Sequence, residues 1–135
     1  MKPAALLCFL VLWLAACGAE PRDSAKEFTG AERAVAAAVE DLESAARDDD
    51  SDAVCTKLLA ESLLTSLQQR DTTCKSAVKD AFDDADSVDL TVDDVTIRGE
   101  TASAKVTSGT GSNQRTDTLE LEKVGAGWRI SSLRA

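Results

Sequence analysis

Three kinds of apolar spacing divide the chain into an N-terminal run, a central part and a C-terminal part. Residues 4–16 are uninterruptedly apolar, residues 29–84 place apolar side chains three or four positions apart, and residues 88–133 alternate apolar with polar positions. A spacing of three to four is typical of amphipathic helices, and alternation is typical of strands with one buried face. The order predicts helices first and a sheet afterwards.

The central part predicts three helices. Thr29 and Glu32 form a capping box at the start of the first one. Val35 and Val39 begin its apolar stripe, and its acidic residues, Glu43 among them, lie mostly outside that stripe. The predicted bounds of the three helices are about 29–47, about 52–68 with a bend near 60–62, and about 73–84.

The alternating part predicts four short strands joined by tight turns. Asp93 and Asp94 interrupt the first strand and predict a bulge there. The apolar positions of the four strands lie within residues 88–97, 102–106, 119–121 and 128–133. Hairpin-length connections favour an antiparallel meander, so the predicted fold class is α+β, with N-terminal helices packed on a curved, four-stranded antiparallel sheet.

The apolar run at residues 4–16 follows a short basic start and is 13 residues long. A membrane-spanning helix needs about 20 apolar residues, so this length fits the core of a signal peptide. The segment Leu14-Ala15-Ala16-Cys17-Gly18 resembles the lipobox of bacterial lipoproteins. The resemblance implies that Cys17 receives a diacylglyceryl group and becomes the first residue after cleavage. The alternative is an ordinary secretory signal that releases the protein after cleavage at the same small residues.

These features predict a signal peptide at 1–16, a lipidated N-terminus with a flexible tether at 17–28 and a single α+β domain at 29–135. Two acyl chains at Cys17 give stable anchoring where one chain does not. The domain is therefore expected on the extracytoplasmic face of a cell membrane, and in a two-membrane cell the outer membrane is one destination.

Two cysteines remain in the predicted domain, Cys55 and Cys74. Disulfides persist in oxidising compartments outside the cytoplasm, so these two are predicted to pair and to join the second helix to the third. Two free buried thiols are the alternative. The usual zinc ligand sets are not expected, because the predicted domain has two cysteines and no histidine.

The charge of the chain excludes one class of partner. Asp and Glu number 24 against 15 Lys and Arg, which gives a net charge of −9 at pH 7. Such a surface repels phosphate backbones, so no nucleic acid partner is expected. It also repels anionic lipid, so the membrane is predicted as a partner only through the anchor at Cys17. No cofactor or metal is predicted.

One family resemblance extends over about residues 30–134. The segment Cys55-Thr56-Lys57-Leu58, a second cysteine on the next helix and the closing segment Gly127-Trp128-Arg129-Ile130-Ser131-Ser132-Leu133 look like small bacterial lipoproteins of the nuclear transport factor 2-like (cystatin-like) superfamily. That resemblance implies a cone-like sheet wrapped around the helices, often with an internal pocket. No clear strand is predicted between the second and third helices, which departs from the fuller pattern of the family.

Candidate catalytic groups are few, because the chain contains neither His nor Tyr. General acid–base chemistry would rest on carboxylates or lysine, and no partner that would orient such a base is evident. The carboxylates considered for a pocket are those of Asp83, Asp84, Asp86, Asp93 and Asp94. A solvated helix end and a strand edge are the simpler interpretation, and no catalytic residue is assigned.

Two further motifs have simple interpretations. Asp48, Asp50 and Asp52 match the start of a calcium loop, but Ala53 and Leu59 replace its required glycine and closing glutamate. Trp128 could line a pocket, although a single tryptophan on an alternating strand is more often part of the core.

The predicted function is a non-catalytic, membrane-anchored module that binds a small apolar ligand or an envelope protein. The alternatives are a small enzyme that uses a pocket carboxylate, and a structural or regulatory accessory protein of the envelope. A cavity that contains an aspartate favours the enzyme, and a flat apolar outer patch favours a protein partner.

Overall fold

The computed structural model describes residues 23–85 and 87–134, and these residues form one helical layer on one sheet. The chain starts with a 3₁₀ helix at Ser24–Glu27. The α-helical segments that follow are α1 (Gly30–Arg47), α2 (Ser51–Ala53, continued by a π-helix at Val54–Leu58), α3 (Glu61–Gln68) and α4 (Cys74–Asp84). The strands are β1 (Leu90–Arg98), β2 (Thr101–Ser108), β3 (Arg115–Val124) and β4 (Gly127–Arg134), with a 3₁₀ turn at Gly111–Asn113 between β2 and β3.

The sheet is the predicted antiparallel meander, in the order β1-β2-β3-β4. The register of β1 against β2 shifts between Val92 and Asp94, which confirms the predicted bulge. A second shift occurs in β3 between Glu120 and Leu121. The α+β fold class is confirmed, and the cone-like curvature stays a prediction.

The core lies between α1 and the inner face of the sheet, because α1 contacts β1, β2 and β4. The alternating positions of the strands face it as predicted, with Ala102, Ala104 and Val106 of β2 all buried. Trp128 is 9% exposed and packs within the same cluster, so its interpretation as a core residue is confirmed. Aromatic residues make up only 4% of the chain, and the core is filled mainly by Ala, Val, Leu and Ile side chains, which can pack closely together.

The start of α1 differs from the predicted capping box. Thr29 is the residue before the helix, but its side chain makes no capping hydrogen bond. The next residue, Gly30, has φ +58°, which lies in the left-handed region and outside helical geometry. The residues with helical dihedrals therefore start after Gly30, one residue later than the capping box requires. The Thr29 side chain is then too far from the first free N–H groups of α1 to cap them.

The predicted second helix is interrupted more sharply than a bend. Leu59 N–H donates to the Val54 carbonyl at 3.0 Å and ends the π-helix, after which Ala60 N–H donates to the Ile130 carbonyl of β4 at 2.8 Å. Leu59 also forms a single parallel bridge with Ile130. The break between α2 and α3 thus runs beside β4 and covers that edge of the sheet, an arrangement that helical periodicity does not reveal.

The predicted tether reaches residue 28, but the folded domain begins earlier. Ser24 and Ala25 are buried within the N-terminal 3₁₀ helix. Ala25 N–H and the Ser24 hydroxyl both donate to Oε1 of Glu40 on α1, at 2.8 and 3.3 Å. Ser24 Oγ also accepts from Val92 N–H at 3.2 Å. These bonds fix the segment to α1 and β1. The segment therefore belongs to the folded domain, although its polar composition suggested a linker.

Candidate functional site

A cleft opens where the C-terminal half of α4 meets the start of β1, the end of β2 and the start of β3. Its volume is about 360 Å³, near the lower end of the range for small-ligand sites. We call it the end cleft. Its apolar walls are formed by Leu42 of α1, Ala81 and Ala85 at the end of α4, Leu90 of β1, Val106 of β2 and Leu119 of β3.

The rim of the end cleft is polar. The rim residues are Asp84, Ser87, Ser108, Asn113, Arg115 and Asp117. Arg115 pairs with Asp117 at 3.4 Å between Nη2 and Oδ1, which leaves Asp84 as a carboxylate without a cation on this rim. The arrangement suits a small molecule with an apolar body and an uncharged or cationic end.

The loop after β2 builds one wall of the end cleft. Gly109 has φ +78°, and a Cβ there would stand 2.6 Å from the Asn113 carbonyl oxygen. Only glycine fits so close an approach of backbone to backbone. Gly109 therefore lets the loop fold onto itself and present Asn113 to the cleft.

A buried carboxylate lies beside the end cleft, on the segment that carries Leu42. Glu43 is 6% exposed, in contrast to its predicted position outside the apolar stripe of α1. It follows Val39 by four residues and so shares its face. Glu43 Oε1 accepts from Arg47 Nη2, which also binds Asp89 Oδ1 at 2.6 Å. The ion pair keeps the buried charge satisfied.

The pKa of Glu43 is raised above the ordinary glutamate value. Burial is the main cause, because removal from water disfavours the charged form. The Arg47 guanidinium and a hydrogen bond from the Leu90 backbone lower the pKa of Glu43 and offset only part of that effect. Asp89 and Glu40 raise it further through their negative charge.

The predicted disulfide is confirmed. Cys55 in the π-helix is bonded to Cys74 at the start of α4, with their Cα atoms 6.0 Å apart and a sequence separation of 19. Both residues are half-buried, and they line a groove of about 470 Å³ together with Leu64 and Gln68 of α3. The bond closes a loop that contains the whole of α3, which itself has no buried residue.

The carboxylates considered for catalysis are spread over the molecule. Asp84 lines the end cleft, and Asp83 pairs with Lys79 at 3.1 Å on the exposed side of α4. Asp93 accepts a hydrogen bond from Thr107 at 2.6 Å, and Asp94 is exposed on β1. Asp86 lies outside the described residues. The structure therefore brings one of these five to the cleft, with no hydrogen-bonded base beside it among the described residues.

Two of the three aspartates of the calcium motif serve local roles, and the third, Asp48, is the residue that follows α1. Asp50 caps α2 by accepting from Ala53 N–H at 2.9 Å, and Asp52 pairs with Lys75 at 2.5 Å. Within residues 23–85 and 87–134, no group of three or more metal-ligating side chains could hold a metal ion. The same residues include no helix that is both long and apolar enough to cross a membrane.

The outer face of the sheet is polar rather than apolar. Ser103 donates to Glu120 Oε2 at 2.9 Å across two strands, and hydroxyl and charged side chains surround that pair. Among the described residues the large apolar side chain that stands exposed is Val124, at 45%. Among the described residues, this face has no flat apolar patch of the kind that favours a protein partner.

Sequence reasoning missed the wall of the end cleft and the buried carboxylate. Leu42 continues the apolar stripe of α1 and so gives no separate sign of a pocket, and Asn113 and Arg115, just before and at the start of β3, carry no periodic signal. Glu43 could have been found, because a glutamate four residues after Val39 and four before Arg47 combines a buried position with a paired cation. Glu40 carries no comparable signal, because its partner lies in a segment that looks like a linker.

The site and fold define an α+β domain in which helices cover one face of a four-stranded antiparallel meander and a disulfide joins the π-helix to α4. No protein-family model, curated protein or solved structure matches the chain. The predicted lipid attachment at Cys17 and the signal peptide lie outside the described residues.

Proposed function

We propose that this protein is a membrane-anchored, extracytoplasmic lipoprotein whose domain binds a small apolar ligand in the end cleft without catalysing a reaction. The observation that carries the ligand site is the cleft itself, a space of about 360 Å³ with apolar walls and a polar rim. Its volume suits a compact molecule, since ligand sites generally span about 300–1,000 Å³.

The chemistry of the rim supports binding rather than catalysis. Its charged groups are one guanidinium and the carboxylates of Asp84 and Asp117, and the guanidinium is already paired with Asp117. A general base needs a group that accepts the proton and a partner that orients that group. Asp84 has no hydrogen-bonding partner of this kind among the described residues, so the alternative of a carboxylate enzyme has weaker support.

The proposed anchor rests on the lipobox-like segment before Cys17. The docking of Ser24 and Ala25 onto Glu40 leaves six residues, 18–23, between Cys17 and the docked Ser24. Fully extended, six residues span about 21 Å. The proposed tether is therefore short and holds the domain close to the bilayer. The proposed nuclear transport factor 2-like relationship rests on the sequence resemblance of the segments around Cys55 and Trp128.

Filling the end cleft tests the proposed ligand site. Phenylnaphthylamine, an uncharged apolar probe that fluoresces when removed from water, is expected to bind the full chain saturably. Ala81→Phe places a ring where Ala81 lines the cleft, and probe affinity is expected to fall about tenfold, since loss of about one ring's worth of apolar contact costs at least 1.4 kcal/mol.

The matched control is Ala34→Phe, at an exposed position of α1 that does not line the cleft. This variant should bind the probe as the unchanged chain does, and both variants should unfold at the same urea concentration. Equal loss of affinity in the two variants, or no saturable binding by the unchanged chain, would remove the ligand site from the proposal.

A further inference from the structure

The two edge strands of the sheet, β1 and β4, differ in which part of their backbone is covered by other segments. The β4 edge is covered around Ile130, because Ala60 N–H binds the Ile130 carbonyl at 2.8 Å and Arg129 Nη1 binds the carbonyls of Thr56 and Leu59 at 3.4 and 3.5 Å. The β1 edge is covered only in its first half. There, Val92 N–H donates to Ser24 Oγ at 3.2 Å.

The second half of β1 presents unpaired backbone. Arg98 and Thr101 flank the two-residue turn at 99–100 and form its closing pair. In an antiparallel ladder, alternate residues point their N–H and C=O groups toward the neighbouring strand and the remaining ones point them away. Counting back from Arg98, Val95 and Ile97 point theirs to the open side. None of the described residues donates to or accepts from those groups.

The side chains along this open half are self-complementary in charge. Asp94, Thr96 and Arg98 are all exposed, and neither Asp94 nor Arg98 forms an ion pair with another described residue. If a second copy of β1 pairs antiparallel with its centre at Thr96, Val95 lies opposite Ile97 and the two exchange backbone hydrogen bonds. The same register sets Asp94 of each copy directly opposite Arg98 of the other.

Neighbouring registers are less favourable. Moving the centre to Val95 sets Arg98 opposite Val92, where the Ser24 segment already occupies the edge. Moving it to Ile97 sets Asp94 opposite Glu100 in the turn, so that like charges meet. The charges and the covered half of the strand therefore select one register, centred on Thr96.

We propose that β1 is a homodimerisation edge, at which residues 94–98 of two copies pair antiparallel and join their sheets into one eight-stranded sheet. A C₂ interface of this kind is formed by the same patch on both copies. The two-fold axis runs perpendicular to the sheet, so both helical layers lie on the same face. Unpaired backbone at a sheet edge invites pairing of this kind, and opposite charges that lie directly across from each other favour this register.

Cysteine crosslinking in the envelope of cells that express the full chain tests the dimer. Thr96→Cys should form an intermolecular disulfide, because cross-strand Cβ atoms at a non-hydrogen-bonded pair lie about 4.5–5.5 Å apart. The control is Thr116→Cys, at an equally exposed threonine on the interior strand β3. We expect the crosslinked fraction of Thr96→Cys to exceed that of Thr116→Cys about fivefold or more.

Charge reversal tests the register. In the Thr96→Cys background, Asp94→Arg opposes two pairs of cations and should reduce crosslinking about tenfold. Adding Arg98→Asp exchanges the charges and should restore crosslinking to within about twofold of the starting level. Equal crosslinking of Thr96→Cys and Thr116→Cys would overturn the dimer. Failure of the double reversal to restore it would overturn the proposed pairing.

Discussion

Replacing Cys55 and Cys74 together by serine is expected to lower the free energy of unfolding by about 3 kcal/mol. The bond joins residues that are 19 positions apart, and loss of a cross-link of that length restores many conformations to the unfolded chain. Small domains are stable by only about 5–15 kcal/mol, so the loss should be large in urea titrations followed by circular dichroism.

The segment inside the loop should show the change first. It contains α3, whose leucines are half-buried and which has no fully buried residue, so α3 is held less firmly than α1 and relies more on the disulfide and the Ala60 bond to β4. Amide exchange in residues 61–73 is expected to rise more than exchange in α1. A second variant with alanine at both positions separates loss of the cross-link from burial of a hydroxyl. If the serine pair loses less than about 0.5 kcal/mol, the disulfide is not a main source of stability.

Replacing Arg47 by methionine is expected to lower the free energy of unfolding by about 1–3 kcal/mol at pH 7, because it leaves the Glu43 carboxylate buried without its cation. Methionine retains an apolar stem at this position, so the change removes mainly charge and hydrogen bonds. Arg47 also binds Asp89, and the junction before β1 should loosen with it.

The effect of Arg47→Met should depend on pH in a defined direction. The pKa of Glu43 is already raised in the folded state, so its contribution to stability is full below the unfolded value, about 4.3, and is lost as pH rises through the folded value. Removal of Arg47 raises the folded pKa further. The difference between variant and unchanged chain should therefore be greatest above both folded pKa values and should shrink as the pH is lowered.

Glu43→Gln provides the control for this pair. In that background the carboxylate is absent, so Arg47→Met should cost less and the cost should not vary with pH. Urea titrations of the four proteins from pH 5 to pH 8 measure the cycle. A cost of Arg47→Met that is the same at every pH, with or without Glu43, would show that the guanidinium stabilises the fold independently of Glu43, for example through its bond to Asp89.

The sheet could be predicted from the sequence because each of its strands has one buried face. Alternation at Ala102, Ala104 and Val106 identified both the strand and the residues that face the core. Even the bulge near Asp93 and Asp94 was visible, since two consecutive polar residues break a period of two. The disulfide followed from the number of cysteines and the predicted compartment.

What could not be predicted depends on contacts between residues far apart in the chain. The N-terminal segment looks like a linker until Glu40 supplies an acceptor for Ser24 and Ala25. The sequence predicts a bend near residues 60–62, but it does not reveal that the chain breaks fully at Leu59, because that break is stabilised by β4, about 70 residues later in sequence. The end cleft also depends on residues that are far apart in the chain, since its walls come from α1, α4 and three strands.

We propose that a lipid on Cys17 holds this domain at a membrane. The intact mass of the protein, purified from the envelope of cells that express the full chain, tests this proposal directly. The account predicts a chain that begins at Cys17 and carries a diacylglyceryl group, and a Cys17→Ser variant that lacks this mass. An unmodified chain released into the medium would contradict it.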